Sequence, residues 1–219
     1  MNAHAFTFCG EPLQALGSGA LFWPREALLV VSDLHLGKSE RIARKGGPTL
    51  PPYETQDTLQ RLADALDTTK ATTVICLGDS FDDDAAGQAL SDTARATLSR
   101  LKAGRRWIWI TGNHDPGPLD LGGEHRAETT IGPLTFRHIA DAKPQAEVSG
   151  HYHPKARLRT RAGTVSRPCF LYDEIRLILP AFGTYTGGLW SSDPALAFMG
   201  AKALAILTGP QPLAIPMPR

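Results

Sequence analysis

A chain of 219 residues, 42% hydrophobic and 21% charged, is long enough for a single domain over 1–219 with a substantial core, and its composition is that of a globular chain rather than a disordered, collagen-like or coiled-coil one. The formal net charge of +1 gives no overall attraction for polyanions, so any nucleic-acid binding must come from a local patch. Three widely spaced cysteines, Cys9, Cys76 and Cys169, with no CxxC pair, exclude a disulfide scaffold or zinc knuckle and fit reduced, mostly buried thiols in the cytosol.

In chain order, Met1-Asn2-Ala3-His4 lacks a basic region followed by an apolar one, so no signal peptide is expected. Leu28-Leu29-Val30-Val31 is a continuous apolar run that stops at Ser32-Asp33. Val74-Ile75-Cys76-Leu77 stops at Gly78-Asp79, and Trp107-Ile108-Trp109-Ile110 stops at Thr111-Gly112-Asn113. Such runs predict strands buried on both faces. Between them, Leu59, Leu62, Ala63 and Leu66 mark a helix from Tyr53 to Leu66, and Leu90, Ala94, Leu98 and Leu101 mark one from Ala89 to Leu101. Strand and helix alternating in this way imply right-handed crossovers and a largely parallel region. After Glu128 short strands dominate, at Thr129–Ile139, Ile175–Leu179 and Ala203–Thr208. They predict a second sheet packed on the first with helices outside, a four-layer α/β sandwich. The longest apolar stretch, Ala195 to Leu207, is broken by Gly200 and Lys202 and is too short to span a bilayer. A cytoplasmic protein with no membrane association is expected.

Each of the three buried strands ends in a polar cluster, and ligands of open α/β sheets bind outside the carboxyl ends of strands. Asp33-Leu34-His35, Asp79-Ser80-Phe81-Asp82 and Asn113-His114-Asp115 are therefore expected on one rim. Carboxylate oxygen with imidazole nitrogen is a normal first shell for Mn, Fe or Zn, although each short motif alone is also a common turn. Gly78 permits the chain to turn so that Asp79 faces two ions. Asp82, Asp83 and Asp84 are expected mainly to cap a helix, with only a lesser supporting role for Asp82 at the site. In Gly150-His151-Tyr152-His153-Pro154, a turn at Gly150 would splay the two histidines toward different ions. His138 is another histidine at a strand end.

In this order, DxH, GDxxD, GNHD, an isolated His and GHxHP resemble the calcineurin-like metallophosphoesterase superfamily over Asp33 to Pro154. The resemblance implies an αββα double-sandwich fold. It implies that Asp33, His35, Asp79 and His153 hold one metal ion and that Asp79, Asn113, His138 and His151 hold the other, Asp79 bridging. His114 becomes the catalytic imidazole, with Asp115 orienting it or shaping the turn. Two divalent ions, Mn²⁺ by preference with Fe²⁺ or Zn²⁺ as alternatives, would clamp a phosphate ester and supply a bridging hydroxide that attacks phosphorus in line. His114 would stabilise the developing charge or protonate the leaving group.

Further segments narrow the substrate. Asp33-Leu34-His35-Leu36-Gly37-Lys38 with Arg41, then Leu50-Pro51-Pro52-Tyr53, Arg167-Pro168-Cys169-Phe170 and Leu179 to Leu189 are similar to the ligase-associated DNA-damage-response phosphodiesterases and endonucleases over nearly the whole chain. That resemblance implies DNA as substrate, with a DNA ligase, a helicase and an exonuclease-like protein as partners, and is compatible with a homo-oligomer. One position departs from the pattern: His is expected where Asp82 stands. Arg41, Arg157 and Arg167 are candidate substrate-binding residues, and Arg157, Arg159 and Arg161 would share one face of a strand that could meet a phosphate backbone, although composition alone favours a plain solvated face. Tyr53, Tyr152, Phe182 and Tyr185 are aromatics for base stacking, Phe182 more readily a core residue. The enzymatic alternative is a small-molecule phosphoesterase, such as a nucleotide or UDP-sugar-lipid pyrophosphohydrolase. A non-catalytic scaffold would lack ligands or His114, and all are present.

Overall fold

The structure, a computed structural model, describes residues 2–115, 121–160 and 163–219; Arg161, named above, lies outside them. Strands β1 (Ala3–Phe8), β2 (Glu11–Leu16) and β3 (Leu21–Trp23) form an antiparallel meander leading to β4 (Leu28–Val31). From β4 the chain crosses through α1 (Lys38–Arg44) and α2 (Glu54–Thr69) to β5 (Thr73–Leu77). It crosses again through α3 (Asp84–Gln88) and α4 (Asp92–Lys102) to β6 (Arg106–Ile110). β4, β5 and β6 pair in parallel, and β7 (Glu124–Arg126) completes a seven-stranded sheet that follows sequence order.

The second sheet has eight strands: β8 (Glu128–Ile131), β9 (Leu134–Arg137), β10 (Glu147–Ser149), β11 (Lys155–Thr160), β12 (Gly163–Tyr172), β13 (Arg176–Ile178), β14 (Leu204–Leu207) and β15 (Leu213–Pro216). Their order is β15-β14-β12-β13-β10-β9-β8, with β11 off this path and paired with β12.

The continuous apolar runs are explained by two-sided burial. Leu29, Val31, Val74, Cys76, Trp107 and Trp109 face Leu59, Leu62 and Leu66 of α2 and Ala94 and Leu98 of α4. The alternate residues Leu28, Val30, Ile75, Leu77, Ile108 and Ile110 face Phe136, Val148, Phe170, Leu177 and Ile206 of the second sheet. Period-two alternation thus sends every side chain into one of two cores. Truncating a fully buried inter-sheet ring such as Phe136 to Ala would cost about 3–5 kcal/mol. This clamps the strands whose carboxyl ends carry the polar clusters.

The expected double sandwich is therefore present, but its fourth layer is thin. The outer face of the second sheet, with Ala156, Cys169, Leu171, Ile178 and Ala205, is covered by Leu196, Met199 and Met217. Of these, Leu196 ends a short 3-10 turn and the other two lie in irregular chain. Among the described residues the four α-helices all fall between Lys38 and Lys102, and none of them is long and apolar enough to cross a membrane. The helix expected from Ala89 starts later, at Asp92, because the Ser91 hydroxyl accepts from the Ala94 N–H at 3.2 Å and so fixes the first turn.

Candidate metal centre

Asp33 and His35 follow β4, Asp79 follows β5, Asn113 and His114 follow β6, His138 follows β9, and His151 and His153 follow β10. The chain turns sharply at these strand ends: Asp33, His35, Asp79, His151 and His153 all have φ between 45° and 69°. Left-handed backbone at residues other than glycine is sparsely populated and clusters at functional sites. Two glycines allow the ends to close on one another. A Cβ on Gly112 would overlap the backbone N and Oδ1 of Asp79, and one on Gly150 would overlap the Ser32 hydroxyl.

The ligand atoms gather in two groups. Asp33, His35 and His153 form one and Asp79, His138 and His151 the other, with ligand atoms within 4.8 Å of each other inside each group. The two histidines of the GHxHP segment thus go to different groups, as the turn at Gly150 led us to expect. The groups adjoin, with Asp33 Oδ1 3.0 Å from His153 Nε2 and 4.0 Å from His138 Nδ1. His138 Nε2 lies 3.3 Å from Asp79 Oδ2 and 2.9 Å from Asn113 Oδ1, which places Asn113 in the second group.

Hydrogen bonds fix each group's orientation. The Asp33 carboxylate accepts from the Ser32 hydroxyl and, at 3.0 Å, from the His151 N–H. Asp79 Oδ1 accepts from the His114 N–H at 2.8 Å. His138 Nδ1 lies 2.8 Å from the Leu77 carbonyl, which can only accept, so Nδ1 carries the proton. His138 Nε2 then faces the oxygens of Asp79 and Asn113, an arrangement that calls for a proton or a cation between them. His35 Nε2 is buried with no hydrogen-bond partner. An orphaned donor atom of this kind, among mixed carboxylate, imidazole and amide groups, fits a site for two divalent ions.

The electrostatics are those of a site built for positive charge. Burial opposes ionisation of Asp33, but the hydrogen bond and charge of His153 outweigh it and hold the carboxyl below its usual range. Burial likewise opposes ionisation of Asp79, and His138 brings it down to about 2. Burial lowers His138, yet Asp79 and Asp33 together raise it. His151 is lowered by burial and by the neighbouring His138.

Asp82 takes a larger part than its place in the acidic run suggested. It is Asp83 that caps α3, accepting from the Ala86 N–H at 2.8 Å. Asp82 is fully buried, and its Oδ1 lies 2.8 Å from His35 Nδ1. Its carboxylate also meets Lys38 at 3.4 Å and Arg41 at 3.0 Å, which, despite burial, help hold it well below the usual carboxylate range. Its backbone carbonyl lies 3.1 Å from His114 Nδ1. One residue therefore braces a ligand and the candidate catalytic ring, and a carboxylate behind a metal-binding imidazole is a recurrent support. The sequence signal was there: a carboxylate three residues beyond Asp79, with Lys38 and Arg41 one helical turn apart.

Asp115 is placed under the turn. Its Oδ2 accepts from Ser80 N at 2.8 Å and Phe81 N at 3.1 Å, and burial raises its carboxyl to about 7. The Asp82 carbonyl, and not the Asp115 carboxylate, holds the His114 ring. Of the candidate substrate residues, Arg41 is engaged by Asp82 and Asp83, while Arg157 and Arg167 are exposed on β11 and β12. Phe182 is fully buried, Tyr53 and Tyr185 are exposed, and Tyr152 packs on His151 and Phe198. A cleft of about 220 Å³ opens beside Asn113 and His138, bordered by Arg137 and Ile139.

A family model described as calcineurin-like phosphoesterase matches residues 27–180, a span that contains every candidate ligand. The crystal structure of the Pseudomonas putida nuclease MPE is similar to the chain with a TM-score of 0.74 and 28% identity, over 97% of this chain and 100% of that one. No curated protein sequence matches it significantly.

Proposed function

The chain belongs to the calcineurin-like phosphoesterase family, and from that premise we propose that it is a binuclear phosphodiesterase and endonuclease that cleaves DNA in damage repair. It is a metal-dependent phosphoesterase, a hydrolase of ester bonds. The observation that carries the reading is the convergence of the two ligand groups with His114, whose ring lies 5.3 Å, centroid to centroid, from that of His35. Likeness to a nuclease along the full chain favours a polynucleotide over a small phosphate ester.

Asp33, His35 and His153 would hold one ion and Asn113, His138 and His151 the other, with Asp79 between them. Mn²⁺ suits this mixed oxygen and nitrogen set, which would also accept Fe²⁺ or Zn²⁺. Two divalent ions held there would supply Lewis acidity and activate water near neutral pH. The remaining work falls to the chain. His114 presents Nε2 to the ester because Nδ1 is tied to the Asp82 carbonyl, and from there it stabilises charge on the leaving oxygen or gives it a proton. Asp82 and Leu77 engage the Nδ1 atoms of His35 and His138, so that Nε2 of each would be left to hold an ion. A cytoplasmic setting and association with a DNA ligase, a helicase and an exonuclease-like protein belong to the same reading.

The test is a metal-reconstituted assay on bis-p-nitrophenyl phosphate, p-nitrophenyl phosphate and defined DNA. Hydrolysis of the diester and of DNA is expected, and a profile confined to the monoester would overturn the proposal.

A further inference from the structure

β11 begins two residues after His153 and, among the described residues, pairs with no strand other than β12, from Lys155 opposite Pro168 to Thr160 opposite Gly163, with one further bridge from Lys155 to Trp190. The rest of the second sheet takes up β12 only from Cys169, where it meets Leu207 of β14. Residues 155–160 and 163–168 therefore extend from the sheet as two paired strands, an arm, and Gly163–Pro168 are exposed throughout.

The arm's charge is one-sided. Between residues 155 and 168 the sequence carries Lys155, Arg157, Arg159, Arg161 and Arg167 with no Asp or Glu, in a chain whose net charge is +1. Strand alternation sets Lys155, Arg157 and Arg159 on one face. Arg159 and Arg167 are exposed and hold no ion pair among the described residues. Several arginines elsewhere are neutralised, Arg44 by Asp83, Arg106 and Arg126 by Glu124, and Arg137 by Glu128 and Asp141, whereas Arg100, exposed and without an ion pair among the described residues, lies on α4 and has no strand face on which to form a row. Arg159 and Arg167 are therefore available to an external anion.

The root of the arm is fixed relative to the metal centre. Lys155 N donates to the Leu189 carbonyl at 2.8 Å, and Ser191 N donates to the Lys155 carbonyl at 2.7 Å. The Trp190 ring lies 4.0 Å from the Arg157 guanidinium carbon and 4.9 Å from the Lys155 ammonium. Ala156 is fully buried. The arm therefore leaves the ligand His153 in a set direction.

We propose that this arm is a backbone-binding extension of the active site, occupied by the phosphates of a polynucleotide that continues away from the metal centre. Lys155 to Thr160 is five residue steps, or about 17 Å of strand, which matches about five base steps at 3.4 Å each. A mononucleotide or small phosphate ester at the metals does not reach along it. The orientation of that polynucleotide rests on the nuclease reading; the arm's affinity for a phosphate backbone does not.

The experiment is fluorescence anisotropy with the full chain, on a 20-base single strand and a 20-base-pair duplex, through a salt series and before appreciable turnover. The proteins are wild type, Arg159→Glu, and the double variant Arg157→Glu/Arg159→Glu. For the double variant we expect binding at least about tenfold weaker and a log–log salt slope smaller by about 1.8 on duplex or about 1.4 on single strand. Arg159→Glu alone, which disturbs no contact with Trp190, gives about half that change. An unchanged affinity and slope, or weaker binding with an unchanged slope, overturns the proposal. So does a wild type that binds neither nucleic acid, which would leave the arm to an acidic protein surface. Wild-type hydrolysis of bis-p-nitrophenyl phosphate, measured alongside, reads the metal centre separately, so the nuclease reading and the arm can fail independently.

Discussion

Gly112 sits where β6 gives way to the Asn113-His114 segment, and Gly112→Ala tests how tightly the site is built. The new methyl would overlap Asp79 N and Oδ1 and lie 2.5 Å from Asp115 Oδ1, where an ordinary contact begins at 3.4 Å. The loops after β5 and β6 must separate by roughly 1 Å, an overpacking that costs about 1–3 kcal/mol. For a chain of this size that lowers Tm by about 2–12 °C. Displacing Asp79 by roughly 1 Å should cost about 100-fold in kcat/KM. Gly187 has no atom within 4 Å of a Cβ and is not in the left-handed region, so Gly187→Ala is the matched control and should keep both values. The assays are thermal melting without metal and bis-p-nitrophenyl phosphate turnover with Mn²⁺. A Gly112→Ala protein with wild-type Tm and activity within about threefold would refute the claim that Gly112 packs against Asp79.

Asp79→Asn is expected to abolish turnover and weaken metal occupancy, whereas His114→Ala should slow turnover by about 10²–10⁴ with both ions retained; metal analysis beside steady-state kinetics separates the two. Asp82→Asn should lower metal affinity by about 10–100-fold through loss of its hold on His35, and calorimetric titration with unchanged affinity would count against that role. Burial raises the Glu147 carboxyl, so its contribution to stability is fully present below the ordinary value near 4.5 and lost as pH rises through the folded value. Glu147→Gln should therefore flatten that part of the stability profile in denaturant titrations, and an unaltered pH slope would refute it.

The central sheet was legible because two-sided burial writes itself as uninterrupted apolar runs, and those runs stop where the polar clusters begin. The residues of β4, β5 and β6 coincide with the expected strands to within a residue. β1 and β2 were not read: in Ala3–Phe8 exposed residues alternate with half-buried ones and only Phe8 is buried, so no continuous apolar run marks the strand, and Gly10 and Gly19 resemble ordinary loop punctuation. The short helices α1 and α3 carry too few apolar residues to mark a face. At the site, residue type and order, read against the family pattern, pointed to Asp33, His35, Asp79, Asn113, His138, His151 and His153, and the structure brings these side chains close to one another. Asp82 and Asp115 exchanged emphasis for a positional reason. A side chain's partner after a turn depends on which way that turn faces, and nothing in Asp82-Asp83-Asp84 says which carboxylate points inward.

The left-handed strand ends connect the fold to the metals. Asp33, His35, Asp79, His151 and His153 each hold φ between 45° and 69°, and each such residue costs about 1–2 kcal/mol relative to ordinary backbone. Without cations, the two buried groups also keep carboxylates, imidazoles and an amide oxygen pointed at one another. The clamped strands hold that arrangement, because Val31 and Leu77 are fully buried just before Asp33 and Asp79. A cation that binds only the folded site adds stability as RT ln(1 + [L]/Kd), about 2.7 kcal/mol at 100 times Kd. For a chain of this length that raises Tm by about 5–11 °C. Stripping metal with a chelator and restoring Mn²⁺ should move the melting curve by that amount, reversibly, and the shift should shrink in Asp79→Asn. An identical melting temperature with and without metal would mean that the strand ends are not held apart from their relaxed conformation for the sake of an ion.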